Sequence, residues 1–222
     1  MTEQHEREIS AKRRDFLKLA VGAGAGALSL MAPPWARAQT TQQALAGASS
    51  PEKQFAAATD AAFWNQPRVL TLARGGKDIR ACYWANNALQ WDGYAEICRM
   101  LGDVHQNVAV QMDPRLFDLM RAVQAYVAYY GYHEPLSVNS GFRTPQTNGS
   151  LEGAARNSMH LFGKAIDFSM PGLPSDYMGL LASHYQAGGV GFYSAQKFTH
   201  MDTGNVRYWV GRGSRPPLLA RS

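Results

Sequence analysis

The sequence predicts an α+β domain, and three observations predict it. Two apolar runs flank a Gly75-Gly76 pair, a strongly patterned helical stretch follows Asp113-Pro114, and beyond Leu136 short strand-like runs alternate with one helix. Arg68 to Ala73 and Asp78 to Trp84 form the arms of a predicted β-hairpin, because the glycine pair tolerates the positive φ angles of a tight turn. Trp91 to Leu101 reads as a helix. Asp113 then offers an N-cap carboxylate and Pro114 a proline suited to the first helical turn. Leu116, Met120, Val123, Val127 and Tyr130 recur at steps of three and four, one apolar stripe that needs a sheet to cover, and Gly131 ends it. Leu136 to Asn139 begins a short strand. The second half reads as strand Lys164 to Met170, helix Ser175 to Gln186, then strands Val190 to Tyr193, Phe198 to Asp202 and Arg207 to Gly211.

The chain has 222 residues, 45% hydrophobic and 18% charged, ordinary for one globular core of moderate size. Of its formal charge of +5, residues 1–38 hold six basic and four acidic side chains, which leaves 16 basic against 13 acidic, or +3, for the rest. That surplus gives only weak attraction to anionic polymers and argues against a nucleic-acid partner, which needs a concentrated basic stripe.

Residues 1–38 read as an address. Arg13-Arg14-Asp15-Phe16-Leu17-Lys18 precedes a short, mildly apolar stretch from Leu19 to Met31, and Ala36-Arg37-Ala38 supplies a small-x-small cleavage site. This is similar to a twin-arginine signal, so the mature protein is expected to begin near Gln39 in the periplasm or cell envelope, with no stable membrane span after cleavage. Residues 39–66, rich in Gln, Ala, Ser and Thr, read as a flexible leader, and 67–222 as the folded domain. Export would put Cys82 and Cys98 where a disulfide persists; they are read either as a bridge or as two buried thiols.

Strand alternation points to a site. In Lys164 to Ser169 it sets Ile166 and Phe168 on one face and Ala165, Asp167 and Ser169 on the other. In Phe198 to Asp202 it sets His200 and Asp202 together. His160 lies seven residues before Asp167, in a Gly-containing approach able to fold back beside the strand. Two histidines and one carboxylate suit a hydrolytic zinc, which takes three protein ligands and leaves one position open. By spacing alone, a lone histidine in such a loop is more often a hydrogen-bonded structural residue than a ligand, and no compact zinc signature is present. Ser158 reads as a brace of this loop rather than a nucleophile, since no base stands at triad spacing. His184, on the predicted helix, is a candidate substrate contact, and Tyr193 and Trp209 either line a cleft or fill the core.

Ser158-Met159-His160-Leu161-Phe162-Gly163-Lys164-Ala165-Ile166-Asp167 resembles the Ser-x-His-x-x-Gly-x-Ala-x-Asp signature of zinc D-alanyl-D-alanine peptidases and their murein endopeptidase relatives. Four further blocks narrow the resemblance to MepK-type murein L,D-endopeptidases: Ser140 to Thr144, Thr147-Asn148, Gly188 to Tyr193, and Phe198 to Gly204, with Arg207 and Trp209 continuing it. It spans about residues 67 to 211. The resemblance implies His160, Asp167 and His200 as ligands of a Zn2+ cofactor, in a cleft on one face of a small antiparallel sheet flanked by helices. It also implies Arg143 as a fixed cation that holds a substrate carboxylate or stabilises an oxyanion, with a plain ion pair as its alternative. In the dipeptidase and carboxypeptidase branches an acidic base stands three residues before the last histidine ligand, where this chain has Lys197. Asp202 is therefore a candidate base or proton shuttle, and alternatively a carboxylate that orients a ligand or pairs with Arg207. The expected function is a zinc-dependent murein endopeptidase that hydrolyses peptide bonds in peptidoglycan cross-links, its partners being peptidoglycan stem peptides. Two alternatives stand beside it: a D-alanyl-D-alanine carboxypeptidase or dipeptidase, and a non-catalytic zinc-stabilised wall-binding domain.

Overall fold

The computed structural model describes residues 61–215 and Pro217. The signal sequence and most of the leader expected from the sequence lie outside the described residues. By contact the described chain falls into two units, one of residues 67–124 and 134–215, the other of 61–66, 125–133 and Pro217. The second holds helix α1 (Ala61–Asn65), where Phe63 and Trp64 meet edge to face, and the Tyr126, Tyr129 and Tyr130 rings, which end in a turn at Gly131 with φ of 83°.

The first unit is built on one eight-stranded sheet. Strands β1 (Arg68–Arg74) and β2 (Lys77–Ala85) form the expected hairpin, closed by Gly75 and Gly76 at φ of 58° and 78°. A second two-residue turn at Asn86-Asn87, both with positive φ, adds β3 (Ala88–Leu89), which no apolar run announces. Helices α2 (Trp91–Met100) and α3 (Pro114–Tyr129) follow. Asp113 accepts the Arg115 amide hydrogen bond, so the expected cap forms. Leu116, Phe117, Met120 and Val123 are fully buried.

The chain then returns as β4 (Leu136–Ser140), passes through α4 (Pro145–Ser150), and continues as β5 (Ala165–Ser169), α5 (Ser175–His184), β6 (Gly189–Tyr193), β7 (Phe198–Asp202) and β8 (Arg207–Val210). The strand order is β3-β2-β1-β4-β5-β7-β6-β8. The sheet is mostly antiparallel, as expected, but it is neither small nor wholly so. It has eight strands, and β1 with β4 and β6 with β8 run parallel. The first parallel pair arises because α2 and α3 carry the chain back to its starting edge before β4 begins.

Pairing divides the sheet into two faces. Ile166 and Phe168 of β5 sit opposite Met201 and Thr199 of β7, which in turn sit opposite Val190 and Phe192 of β6. This is the face that α5 covers: a Cβ on Gly179 would come within 2.6 Å of the Phe192 ring, and Thr199 Oγ1 donates to Ser175 O at 2.6 Å. Asp167, His200 and Gly191 occupy the other face, side by side across three strands. Cys82 and Cys98 are both free thiols, with Cys98 Sγ accepting the Met112 amide at 3.5 Å. Among the described residues no helix is long and apolar enough to cross a membrane.

Candidate metal centre

Asp167 and His200 face each other directly, because antiparallel register pairs them across β5 and β7. His160 reaches the same spot from a 3₁₀ turn, Met159–Phe162. Ser158 caps this turn, its Oγ accepting from the His160 amide at 3.4 Å, and Gly163 ends it in the left-handed region at φ of 64°. The ten-residue stretch from Ser158 to Asp167 is thus a cap, a turn, a glycine exit and a strand. That local geometry folds His160 back over Asp167.

The three side chains are buried, and their facing atoms close a tight triangle. His160 Nε2 lies 3.1 Å from His200 Nδ1 and 3.2 Å from Asp167 Oδ1, while His200 Nδ1 lies 2.9 Å from Asp167 Oδ1. The outer ring nitrogens fix the protons. His160 Nδ1 stands 2.5 Å from Gly141 O, a carbonyl that can only accept, so the proton sits on Nδ1 and Nε2 carries a lone pair. His200 Nε2 stands 2.9 Å from the Asp202 carboxylate, which assigns its proton to that side and a lone pair to Nδ1. Three acceptors therefore converge with no donor among them. Only a cation or an added proton relieves this arrangement.

The titration tendencies agree. Burial pushes His160 below its ordinary pKa, which favours its neutral form. Burial also works against charge on His200, but the Asp167 and Asp202 carboxylates overcome it and raise the pKa. Burial alone would raise Asp167; the two histidines hold it well below the usual carboxylate range.

The donor set fits zinc: two imidazoles and one carboxylate, with separations close to the roughly 3.3–3.4 Å expected between tetrahedral ligands ~2.0–2.1 Å from the ion. His160, Asp167 and His200 can hold a metal ion.

The remaining candidates divide. Arg143 belongs to the cluster: its Nη2 donates to Asp167 Oδ2, its Nε to Ser140 Oγ at 2.8 Å, and its backbone amide to His160 O at 3.2 Å. Asp202, fully buried, lies behind His200, away from Asp167 and His160. Its Oδ1 accepts from the Gly189 and Gly204 amides and Arg207 Nη1, and its Oδ2 from His200 and Arg207 Nη2. Burial would raise this carboxyl, but those hydrogen bonds, led by His200, bring it down to about 2.

Trp209 packs at 5.0 Å from the His200 ring and donates to Tyr193 Oη at 3.0 Å, so both aromatics lie on the site face. Gly191 makes room for it, since a Cβ there would meet the indole at 2.6 Å. His184 does not join the cluster: it is exposed at the end of α5, the helix on the opposite face. Lys197 is exposed in the turn before β7, with φ of 60°.

Sequence reasoning missed the Gly141 carbonyl and the Asp103 carboxylate behind it, because nothing local signals a contact made 19 or 41 residues away.

A family model described as peptidoglycan L,D-endopeptidase MepK matches residues 63–209. The peptidoglycan L,D-endopeptidase MepK of Escherichia coli strain K12 is 32% identical over 150 residues, covering 65% of this chain and 81% of that protein. The protein of the same name from Shigella flexneri shows the same identity and coverage.

Proposed function

This chain belongs to the peptidoglycan L,D-endopeptidase MepK family, and from that membership we propose that it is a zinc metallopeptidase that hydrolyses L,D peptide bonds in peptidoglycan cross-links. The observation that carries the reading is the convergence of three lone pairs whose outer partners, Gly141 O and Asp202, leave no proton to share. His160 Nε2, Asp167 Oδ1 and His200 Nδ1 would hold the ion. When bound there, zinc would lower the pKa of water to ~7 and polarise the scissile carbonyl.

The chain's own groups then have distinct tasks. Gly141 O and Asp202 hold the two imidazoles in the tautomers that present lone pairs inward. All of Asp202's acceptor capacity toward this site is spent on His200, Arg207 and two amides, which supports the orienting role over that of a base. Arg143 neutralises the outer oxygen of Asp167 and keeps an Nη1 group without a hydrogen bond among the described residues, which supports a role in binding a substrate carboxylate or the developing oxyanion. Trp209 would wall the cleft beside His200.

The names of the relatives favour an endopeptidase over the carboxypeptidase and binding-domain alternatives. We also propose export to the cell envelope by the twin-arginine signal at residues 1–38. The test of function is incubation of the purified mature protein with muropeptide dimers of defined L,D or D,D cross-link, with and without chelator, and mass analysis of the products. Metal-dependent conversion of the L,D dimer to monomers is expected. Cleavage that survives chelation, or none with any dimer, would sink the reading.

A further inference from the structure

The segment Gly141 to Thr144 serves the site twice, through the Gly141 carbonyl on His160 Nδ1 and the Arg143 guanidinium on Asp167. It belongs to no strand, so something must hold it. Two residues of the loop after α2 do so. Phe142 N donates to Leu101 O at 2.7 Å, and Gly141 packs so closely there that a Cβ would stand 2.1 Å from Leu101 O. Asp103 supplies the other clamp. It is 3% exposed, and its Oδ2 accepts both the amide and the hydroxyl of Thr144, at 2.9 and 3.0 Å.

Asp103 is itself immobilised. Its backbone exchanges two hydrogen bonds with Val108, of 2.7 and 3.0 Å, and its Oδ1 accepts the His105 and Gln106 amides at 3.0 and 3.3 Å. Thr144 passes the restraint on, because its hydroxyl donates to Asp103 and accepts from Thr147 N at 3.2 Å, which caps α4. A carboxylate suits this position since every neighbour offers a proton. An amide would turn its NH2 group against one pair of donors.

We propose that Asp103 is a positioning residue of the metal centre, which sets the His160 ring and the Arg143 guanidinium through the Gly141–Thr144 segment without touching either. This rests on the metal reading above and extends it to a side chain outside the ligand cluster. Loss of the clamp lets the segment drift, and with it the acceptor that fixes the His160 tautomer.

The test uses Asp103→Asn and Thr144→Val in the mature protein, with Asp118→Asn as control. Asp118 is another well-bonded carboxylate, held by Tyr83 and Arg68 on β1 and β2 rather than by the site. Each protein is loaded with Co2+ for its visible ligand-field spectrum, and its Zn2+ affinity is read by competition with a chromophoric chelator well below its melting temperature. Asp103→Asn is expected to weaken Zn2+ binding by roughly 10–100-fold, as loss of a ligand-orienting partner does, and to shift the Co2+ bands. Thr144→Val, which keeps the amide bond, should show a smaller change of the same kind. Asp118→Asn should melt earlier with the wild-type spectrum and affinity. If both site variants also keep that spectrum and affinity, or if Asp103→Asn does not fold and Thr144→Val is unchanged, the proposal is overturned while the metal reading stands. Failure of the wild type to bind either ion overturns both.

Discussion

At the residue scale, the site is a problem of proton placement. Two imidazoles and a carboxylate are useful to a metal only if none brings a proton to the centre, and Gly141 and Asp202 arrange this from behind. Removing any one ligand leaves two, too few to hold zinc tightly. Elemental analysis of the wild type is expected to give roughly one zinc per chain, and His160→Ala, Asp167→Ala and His200→Ala should each lose it; two variants with full zinc content would refute the ligand set. Asp202→Asn separates the roles left open in the sequence. An orienting carboxylate predicts zinc retained at saturation but bound roughly 10–100-fold more weakly, whereas a base predicts unchanged affinity and turnover lower by ~10²–10⁴. The first outcome is expected. For Arg143→Ala, oxyanion stabilisation predicts a loss mainly in kcat and carboxylate binding a rise mainly in KM; steady-state kinetics that leave kcat/KM unchanged would remove Arg143 from the site's work.

At the scale of elements, the site lies where regular structure stops. β4 and β5 lose register between Val138 and Ser140, so Ser140 rather than Asn139 comes opposite Asp167. That extra residue turns the chain toward Gly141 and Arg143, a use of bulges seen beside active sites. Alternation made the faces of Asp167, His200 and Asp202 legible in advance, because a strand's side-chain period is local. The bulge was not legible, since it depends on a partner distant in sequence, and the 3₁₀ turn at His160 and the two-residue strand β3, though held by local bonds, are too short to show a period. The same clamp has a signature in acid. Burial alone would raise Asp103, but hydrogen bonds from Thr144, Thr147 and Gln106 hold its folded pKa well below the usual carboxylate value. Its stabilising contribution is thus complete above the unfolded pKa of ~3.9 and is lost as pH falls toward the folded value. Melting temperatures measured from neutral pH to below pH 3 should fall more steeply in the wild type than in Asp103→Asn. Parallel curves would mean that Asp103 carries no such linkage.

At the scale of the whole molecule, address and catalyst are read separately. A reporter fused behind residues 1–38 should cross the membrane only with Arg13 and Arg14 intact, and replacing both with Lys should stop it; undiminished export of that variant would remove the proposed route. For the folded part, the sequence by itself determined what is local: the Gly75-Gly76 hairpin, the capped helix after Asp113, the strands that carry Asp167 and His200, and the signature around His160. The first three follow from φ preferences, capping or period-two alternation within a few residues, and the last from resemblance to a family signature. The tertiary structure alone decided the parallel pairing of β1 with β4, the free state of Cys82 and Cys98, the stranding of His184 on the far face, and the choice of Gly141 O and Asp202 as the groups that fix the imidazole protons. Those are contacts between segments far apart in the chain, and their geometry exists only once the sheet has ordered its strands.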